Sequence, residues 1–167
     1  PTWIEPTEWL GAEKAKIYPL HMISSQPQTR LHSQMDGQGV ARASKISGRE
    51  PAYINPDDAK VRKIKSGDII RIFNDRGACL AGAVISEDIM SGVIRLMTGA
   101  WFAPAEKGCD NTTCLHGNPN ILTIDKGTSK LSQAPIAQTA LVEIEKYQEY
   151  ADEVNVFVPP EIEGVGA

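Results

Sequence analysis

Apolar positions in this chain fall into short runs divided by turn-forming residues, a spacing that predicts strands rather than long helices. Pro19–Ser24 (PLHMIS) reads as a buried strand, and Ala52–Ile54 as a second. Asp68–Phe73 (DIIRIF) is a third; Asn74-Asp75-Arg76-Gly77 turns the chain, and Cys79–Ile85 returns it. Val93–Thr98 follows, and Ala137–Glu145 alternates Ala140, Val142 and Ile144 with Leu141, Glu143 and Glu145, the pattern of a half-buried final strand. Helical signals are few. One short helix is expected around Pro6–Gly11. Another is capped by Asn55, opened by Pro56 with Asp57 and Asp58 in its first turn, and runs to about Lys63. Ser86-Glu87-Asp88 is expected to cap a single helical turn ending at Gly92. Ser25 to Gly48 is polar, rich in Ser, Gln, Gly and Arg, and reads as one long extended loop.

A weak echo joins two of these strands. Ser66-Gly67-Asp68-Ile69-Ile70-Arg71-Ile72 and Ser91-Gly92-Val93-Ile94-Arg95-Leu96 share a Ser-Gly stop and an apolar-Arg-apolar strand. Used twice, that unit is what a closed barrel with pseudo-twofold symmetry produces. The pattern therefore predicts a mainly β fold, a small barrel, with a sandwich as the alternative.

Composition narrows the function classes. At 167 residues and 41% hydrophobic, the chain can fill one core, and its 23% charged content argues against disorder. No apolar run reaches the roughly 18 residues of a membrane-spanning helix. A net charge of −4 argues against a basic nucleic-acid binder. That charge is uneven: from Glu143 onward seven acids stand against Lys146, leaving 16 basic and 14 acidic groups in residues 1–142. The body is slightly basic and the acidic end is expected to be a solvated tail. Residue 1 is Pro, so the chain is expected to be a piece of a longer one. An odd count of cysteines, Cys79, Cys109 and Cys114, argues against a disulfide framework. Cys109, Cys114 and His116 fit no common zinc spacing.

The unusual chemistry lies in the loops. Ser24 to Gln34 has no nucleophile–base pair with an orienting third group, so it makes a poor hydrolase site. It offers donors instead: Ser hydroxyls, Gln amides, the Arg30 fork and the His32 imidazole. Such a set suits a large polar ligand with phosphates and ring nitrogens. A plain polar surface loop is the other reading. His116-Gly117-Asn118-Pro119-Asn120 and Asp125-Lys126-Gly127-Thr128-Ser129 are turn-formers that could also set amides against a heterocycle edge. Trp101 is expected in the core in preference to flanking such a ligand. At Asn55-Pro56-Asp57 the acids oppose an anion, and a carboxylate there better suits a guanine edge or ribose hydroxyl.

Read in order, these stretches resemble the C-terminal domain of the dimethyl-sulfoxide-reductase family of molybdenum enzymes, and within it the trimethylamine-N-oxide and biotin/methionine-sulfoxide reductases. The matching pieces are Arg30-Leu31-His32-Ser33-Gln34, Gly48-Arg49-Glu50-Pro51, Ile54-Asn55-Pro56-Asp57-Asp58-Ala59 and Gly67-Asp68. Then come Phe73-Asn74-Asp75-Arg76-Gly77, Leu80-Ala81-Gly82-Ala83-Val84, Gly99-Ala100-Trp101 and Gly117-Asn118 through Leu122-Thr123. Gly127-Thr128-Ser129 and Leu141-Val142-Glu143-Ile144-Glu145-Lys146 complete a series spanning about Pro19 to Tyr147.

The resemblance implies a double-psi β-barrel with short helices and long ligand-facing loops, closing over a bis(molybdopterin guanine dinucleotide) cofactor. Residues 1–17 would lead in from a preceding domain, 18–147 form the cofactor-binding barrel and 148–167 the acidic tail. Gln26 and His32 stand where the family's loop contacts the pterin, with Ser24, Arg30, Leu31 and Ser33 in the same segment. Asn118 and Gln138 match later cofactor-contacting positions, and Asn55 and Asp57 are the less specific part of the carry-over. Many relatives have His-Pro where this chain has Gln26-Pro27; Gln cannot carry a proton, so a protonation role does not transfer. Phe102-Ala103-Pro104 departs from a frequent Tyr-Asp/Asn-Pro, losing a hydroxyl and a polar group. The implied parent reduces S- or N-oxides by oxygen-atom transfer to molybdenum, in anaerobic respiration. Its metal ligand lies in other domains, and a donor such as a c-type cytochrome supplies electrons. A periplasmic location is implied, with a cytoplasmic one as the alternative. From another class, a stand-alone double-psi barrel serving as a binding module without redox function remains open, because fold does not fix function.

Overall fold

Alternate side chains of six short strands point at one another in the computed structural model, which describes residues 2–109, 112–134, 136 and 138–159. The strands are β1 (Leu20–Ile23), β2 (Pro51–Ile54), β3 (Ile69–Phe73), β4 (Ala78–Ile85), β5 (Val93–Leu96) and β6 (Thr139–Lys146). They close in the order β1-β5-β2-β4-β3-β6, so every edge is paired and a sandwich is ruled out. The period of two sends Leu20 and Met22, Ala52 and Ile54, Ile70 and Ile72, Ala81 and Ala83, Ile94 and Leu96, and Ala140, Val142 and Ile144 into the buried core cluster. Small residues on β2 and β4 make room for the branched chains opposite.

Connectivity explains the echo. β2 and β3 follow one another in sequence yet flank β4, while β4 and β5 follow one another yet flank β2. β2 and β4 run parallel, β3 is antiparallel to β4 and β5 antiparallel to β2. Each crossover thus straddles the strand that begins the other, which is the double-psi interlock. Gly67 and Gly92 enter β3 and β5 at φ of +89° and +81°, a conformation that glycine adopts without a Cβ penalty.

The elements differ from the sequence pattern in identifiable ways. Helix α2 (Pro56–Val61) forms with Asn55 Oδ1 accepting the Asp57 N–H, as the cap predicts. Ser86–Gly92 is turn and not helix, with the Ser86 hydroxyl accepting the Asp88 N–H. No helix forms over Pro6–Gly11; a 3-10 helix follows instead at Glu13–Lys16. The long polar loop contains helix α1 (Gly39–Ala43), and its Ile46 lies against β4 so tightly that a Cβ on Gly82 would stand 2.3 Å from it. That cover buries β4 on both faces. Of the expected final strand, Ala137 lies outside the described residues.

The lead-in is tied to the barrel. Beyond the end of β3, Leu141 has no strand partner on one side: its N–H donates to Glu8 Oε2 (2.9 Å) and its C=O accepts from Asn74 Nδ2 (3.1 Å). Arg76 grips Glu8 through both terminal nitrogens (2.7 and 2.9 Å), and Lys14 Nζ adds 2.6 Å. Burial pushes the Glu8 carboxyl up, but the hydrogen bonds from Arg76, Lys14 and the Leu141 N–H outweigh it and hold its pKa at about 2. The acidic end is not simply solvated either. Phe157 packs edge-on against Trp101 and His116 at centroid distances of 5.4 and 5.1 Å, and the Asp152 carbonyl accepts from Arg49.

Candidate functional site

Three loops remote in sequence converge on a cavity of about 450 Å³ lined by His32, Ser33, Thr98–Phe102, Asn118 and Asn120. The volume suits one heterocyclic part of a larger ligand. Gly99, at φ +94°, is the seam: a Cβ there would sit 1.9 Å from the His32 carbonyl oxygen. Trp101 Nε1 donates to the Ser33 carbonyl (2.8 Å), pinning the two loops together. The indole is 42% exposed, so Trp101 is a wall of the cavity and not the core residue its neighbours suggested.

His32 stands in the left-handed region at φ +50°, a conformation costing a residue with a Cβ about 1 kcal/mol. Its surroundings hold it there. Gln26 Oε1 accepts the His32 N–H (3.2 Å), Gln26 Nε2 lies 2.9 Å from His32 Nδ1, and Arg30 Nε donates to the His32 carbonyl (3.2 Å).

Beneath this rim lies a buried ionic cluster absent from the sequence reading. Arg30 Nε and Lys45 Nζ approach Asp36 Oδ1 at 3.2 and 2.8 Å, and Arg30 Nη2 and Lys45 Nζ approach Glu50 Oε2 at 3.1 and 2.9 Å. Two cations face two anions with side chains essentially out of solvent, so the cluster is neutral; removing one member would leave an unpaired buried charge at a cost of about 3–5 kcal/mol. Asp36 Oδ2 also accepts the Trp101 N–H (3.2 Å), and Arg30 Nη2 donates to the Thr98 carbonyl (2.9 Å). The cluster thereby fixes the loop that carries Trp101. His116 adjoins it, with Nδ1 3.0 Å from the Trp101 carbonyl. Burial and the nearby Lys45 charge lower its pKa to about 4, against the opposing pull of the Trp101 carbonyl and Asp36, so the ring is neutral.

The ten residues expected to touch a cofactor separate into groups. His32, Ser33 and Asn118 line the cavity. Gln26 reaches it through His32. Arg30 turns inward: its guanidinium is held by Asp36 and Glu50, not offered as a phosphate fork. Leu31 is 60% exposed beside the rim. Ser24 N–H donates to the Gln138 carbonyl (2.8 Å), so these two meet at the end of β1 and β6, outside the lining. Asn55 spends its amide within the protein, Oδ1 on the Asp57 N–H and Nδ2 on the Ile89 carbonyl (2.7 Å); neither it nor exposed Asp57 lines the cavity. Asn118 likewise caps a 3-10 turn through Oδ1, leaving Nδ2 as a donor. Cys109 is exposed, Cys79 and Cys114 are buried free thiols, and among the described residues no set of three His, Cys, Asp or Glu could hold a metal ion.

Comparison with known proteins shows the family to which these loops belong. Residues 20–141 match the family model described as Molydopterin dinucleotide binding domain. The chain is 44% identical over 160 residues to a dimethyl sulfoxide/trimethylamine N-oxide reductase of Cereibacter sphaeroides, covering 96% of this chain and 19% of the relative. It is 46% identical to trimethylamine-N-oxide reductase 1 of Escherichia coli K12 (93% and 18%) and 46% identical to a biotin sulfoxide reductase of Cereibacter sphaeroides (94% and 21%). It thus spans about one fifth of the length of the curated relatives it matches. Among solved structures, the acetylene hydratase of Pelobacter acetylenicus shares the fold, with a TM-score of 0.69 at 19% identity over 88% of this chain and 21% of that one.

Proposed function

The chain belongs to the molybdopterin dinucleotide-binding domain family, and on that premise we propose that it is the cofactor-binding barrel of a larger molybdenum oxidoreductase that reduces S- or N-oxides. In this reading residues 18–147 are the binding unit, 1–17 lead in and 148–167 form the tail. The observation that carries it is the convergence of His32, Ser33 and Asn118, from two loops some 85 residues apart by their numbering, on one cavity walled by Trp101.

The donor set fits the group. An imidazole, a hydroxyl and an amide Nδ2 face a recess whose aromatic walls suit a pterin or purine ring, and Gly99 lets the 32–33 segment close against the loop that carries Trp101. The group is a bis(molybdopterin guanine dinucleotide), and when bound it supplies two-electron oxygen-atom transfer at molybdenum. This chain's own residues bind and orient it. His32, Ser33 and Asn118 hydrogen-bond its heterocycle, Trp101 and Phe102 exclude water from one side, and the Arg30–Asp36–Lys45–Glu50 cluster keeps the rim rigid. No acid–base task falls to them. The metal's protein ligand comes from elsewhere in the reductase, as do the substrate funnel and the contact for an electron donor such as a c-type cytochrome. Export of the folded enzyme to the periplasm and use in anaerobic respiration fit the relatives' chemistry.

The test is a comparison of the complete protein with the 167-residue chain. The purified complete protein should contain molybdenum and guanine nucleotide and reduce trimethylamine N-oxide, dimethyl sulfoxide or biotin sulfoxide with a reduced dye. The chain alone, supplied with cofactor, should turn over none. Turnover by the chain alone, or a complete protein without molybdenum, overturns the reading.

A further inference from the structure

We propose that Gln26 is a positioning residue that fixes the tautomer of His32, so that the cavity presents an Nε2–H donor to an acceptor atom of its ligand. The inference rests on the preceding section only for the identity of that ligand.

A backbone N–H can only donate, so the Gln26 side-chain atom facing the His32 N–H at 3.2 Å must be the carbonyl Oε1. That settles the amide orientation, which otherwise is a matter of assignment. The other end of the same amide, Nε2, then faces His32 Nδ1 at 2.9 Å. An amide NH2 donates and does not accept, so Nδ1 must offer its lone pair. The ring proton therefore resides on Nε2, and the doubly protonated ring would set Nδ1–H against the amide hydrogens.

Geometry prevents His32 from escaping this clamp. Its carbonyl is held by Arg30 Nε (3.2 Å) and abutted by Gly99, and Arg30 itself is anchored in Asp36 and Glu50. The φ of +50° is thus imposed by three separate neighbours, the circumstance in which backbone strain persists at a working site. Ser33 and Asn118, beside His32 in the cavity, can also donate. The cavity is consequently a donor face, matched to carbonyl oxygens, unprotonated ring nitrogens or phosphate oxygens.

Nitrogen-15 NMR of the histidine rings in the 167-residue chain, whose barrel closes and buries its core within these residues, reads the tautomer directly. At about pH 8.5 free imidazole is neutral. Wild type should show an unprotonated His32 Nδ1. Gln26→Glu, isosteric and able only to accept at both oxygens, should move the proton to Nδ1. Gln26→Leu should loosen the bias by about fivefold, the worth of one ordinary hydrogen bond, and it serves where the Glu variant does not fold. Protonated Nδ1 in wild type, or an unchanged tautomer in both variants, overturns the proposal. The donor-face half is read in the complete protein at the same pH, where Gln26→Glu should lower bound guanine nucleotide about tenfold. Wild-type retention alongside a moved proton overturns that half. A complete protein that never contains the nucleotide instead contradicts the function of the preceding section and leaves the tautomer result standing.

Discussion

Glu8 and His116 are both buried ionisable groups, and each gives the chain a distinct acid limb. Unfolded, a carboxyl of Glu8's kind titrates near 4.5; folded, Glu8 titrates at about 2. Between those values the unfolded chain binds the extra proton, so stability present above pH 4.5 drains away as pH falls toward 2, by about 3 kcal/mol in all. For His116 the folded value of about 4 lies below the ordinary 6.5, so stability also falls as pH drops from 6.5 to 4, because only the unfolded ring gains a proton readily. Urea midpoints measured across pH 7 to 2.5 should show a decline in both windows, and Glu8→Gln should shrink the lower one, to which Asp68 beside Lys146 also contributes, while leaving the upper. A flat profile for wild type below pH 4.5 would contradict the Arg76–Lys14–Leu141 grip. Glu8 was not legible as special in the sequence, and His116 stood out there only beside Cys109 and Cys114 and at the head of a turn, not as a buried neutral ring. Glu8's partners lie 6, 68 and 133 positions away, and no local pattern announces such a meeting. Arg30 misled for the same reason: a lone Arg among Ser and Gln looks like a phosphate fork until Asp36 and Glu50 are brought beneath it.

At the scale of elements, the glycines that enter strands and the glycine that seals the cavity have different tasks. Gly67 and Gly99 both hold φ near +90°, but a Cβ on Gly67 meets nothing within 4 Å while one on Gly99 strikes the His32 carbonyl. Gly67→Ala should therefore cost only the left-handed penalty, about 1 kcal/mol. Gly99→Ala must in addition move the 32–33 segment, and should cost on the order of 2–3 kcal/mol while shifting the His32 ring resonances. Equal costs for the two, or unmoved His32 resonances, would refute the seam. Strands were the most legible elements, since apolar alternation at Ile70/Ile72 or Ala140/Val142/Ile144 follows directly from which face is buried. The pattern blurred wherever a second layer meets the outer face: Ala78 to Ala83 of β4 form an unbroken buried run with Ile46 against Gly82, and Leu141 is buried where Glu8 of the lead-in meets its N–H. Short helices were the least legible. Ser86-Glu87-Asp88 has the residues of a cap, but Gly92 stops the chain before a turn can propagate, and α1 is a five-residue helix inside a stretch too polar to signal one.

At the scale of the molecule, the described residues form a closed double-psi barrel with three loops gathered at one cavity. Its closure needs no other chain, whereas its proposed work does, which accords with relatives five times its length. The slightly basic body and acidic end also acquire a structural meaning: Glu149, Asp152 and Glu153 are exposed while Phe157 returns to brace Trp101 and His116. The family could be read from ordered motifs, and His32, Ser33 and Asn118, named from the same motifs, line one cavity. Which of the ten candidates face inward, outward or one another could not, because that depends on the crossing of β2–β3 over β4–β5. The most direct measurement of the central claim is the molybdenum and guanine-nucleotide content of the complete protein carrying His32→Ala, Asn118→Ala or both. With each hydrogen bond to a buried heterocycle worth about 1–1.4 kcal/mol, retention should fall about five- to tenfold for either change and further for the pair. Full cofactor content in the double variant would contradict the assignment of this cavity.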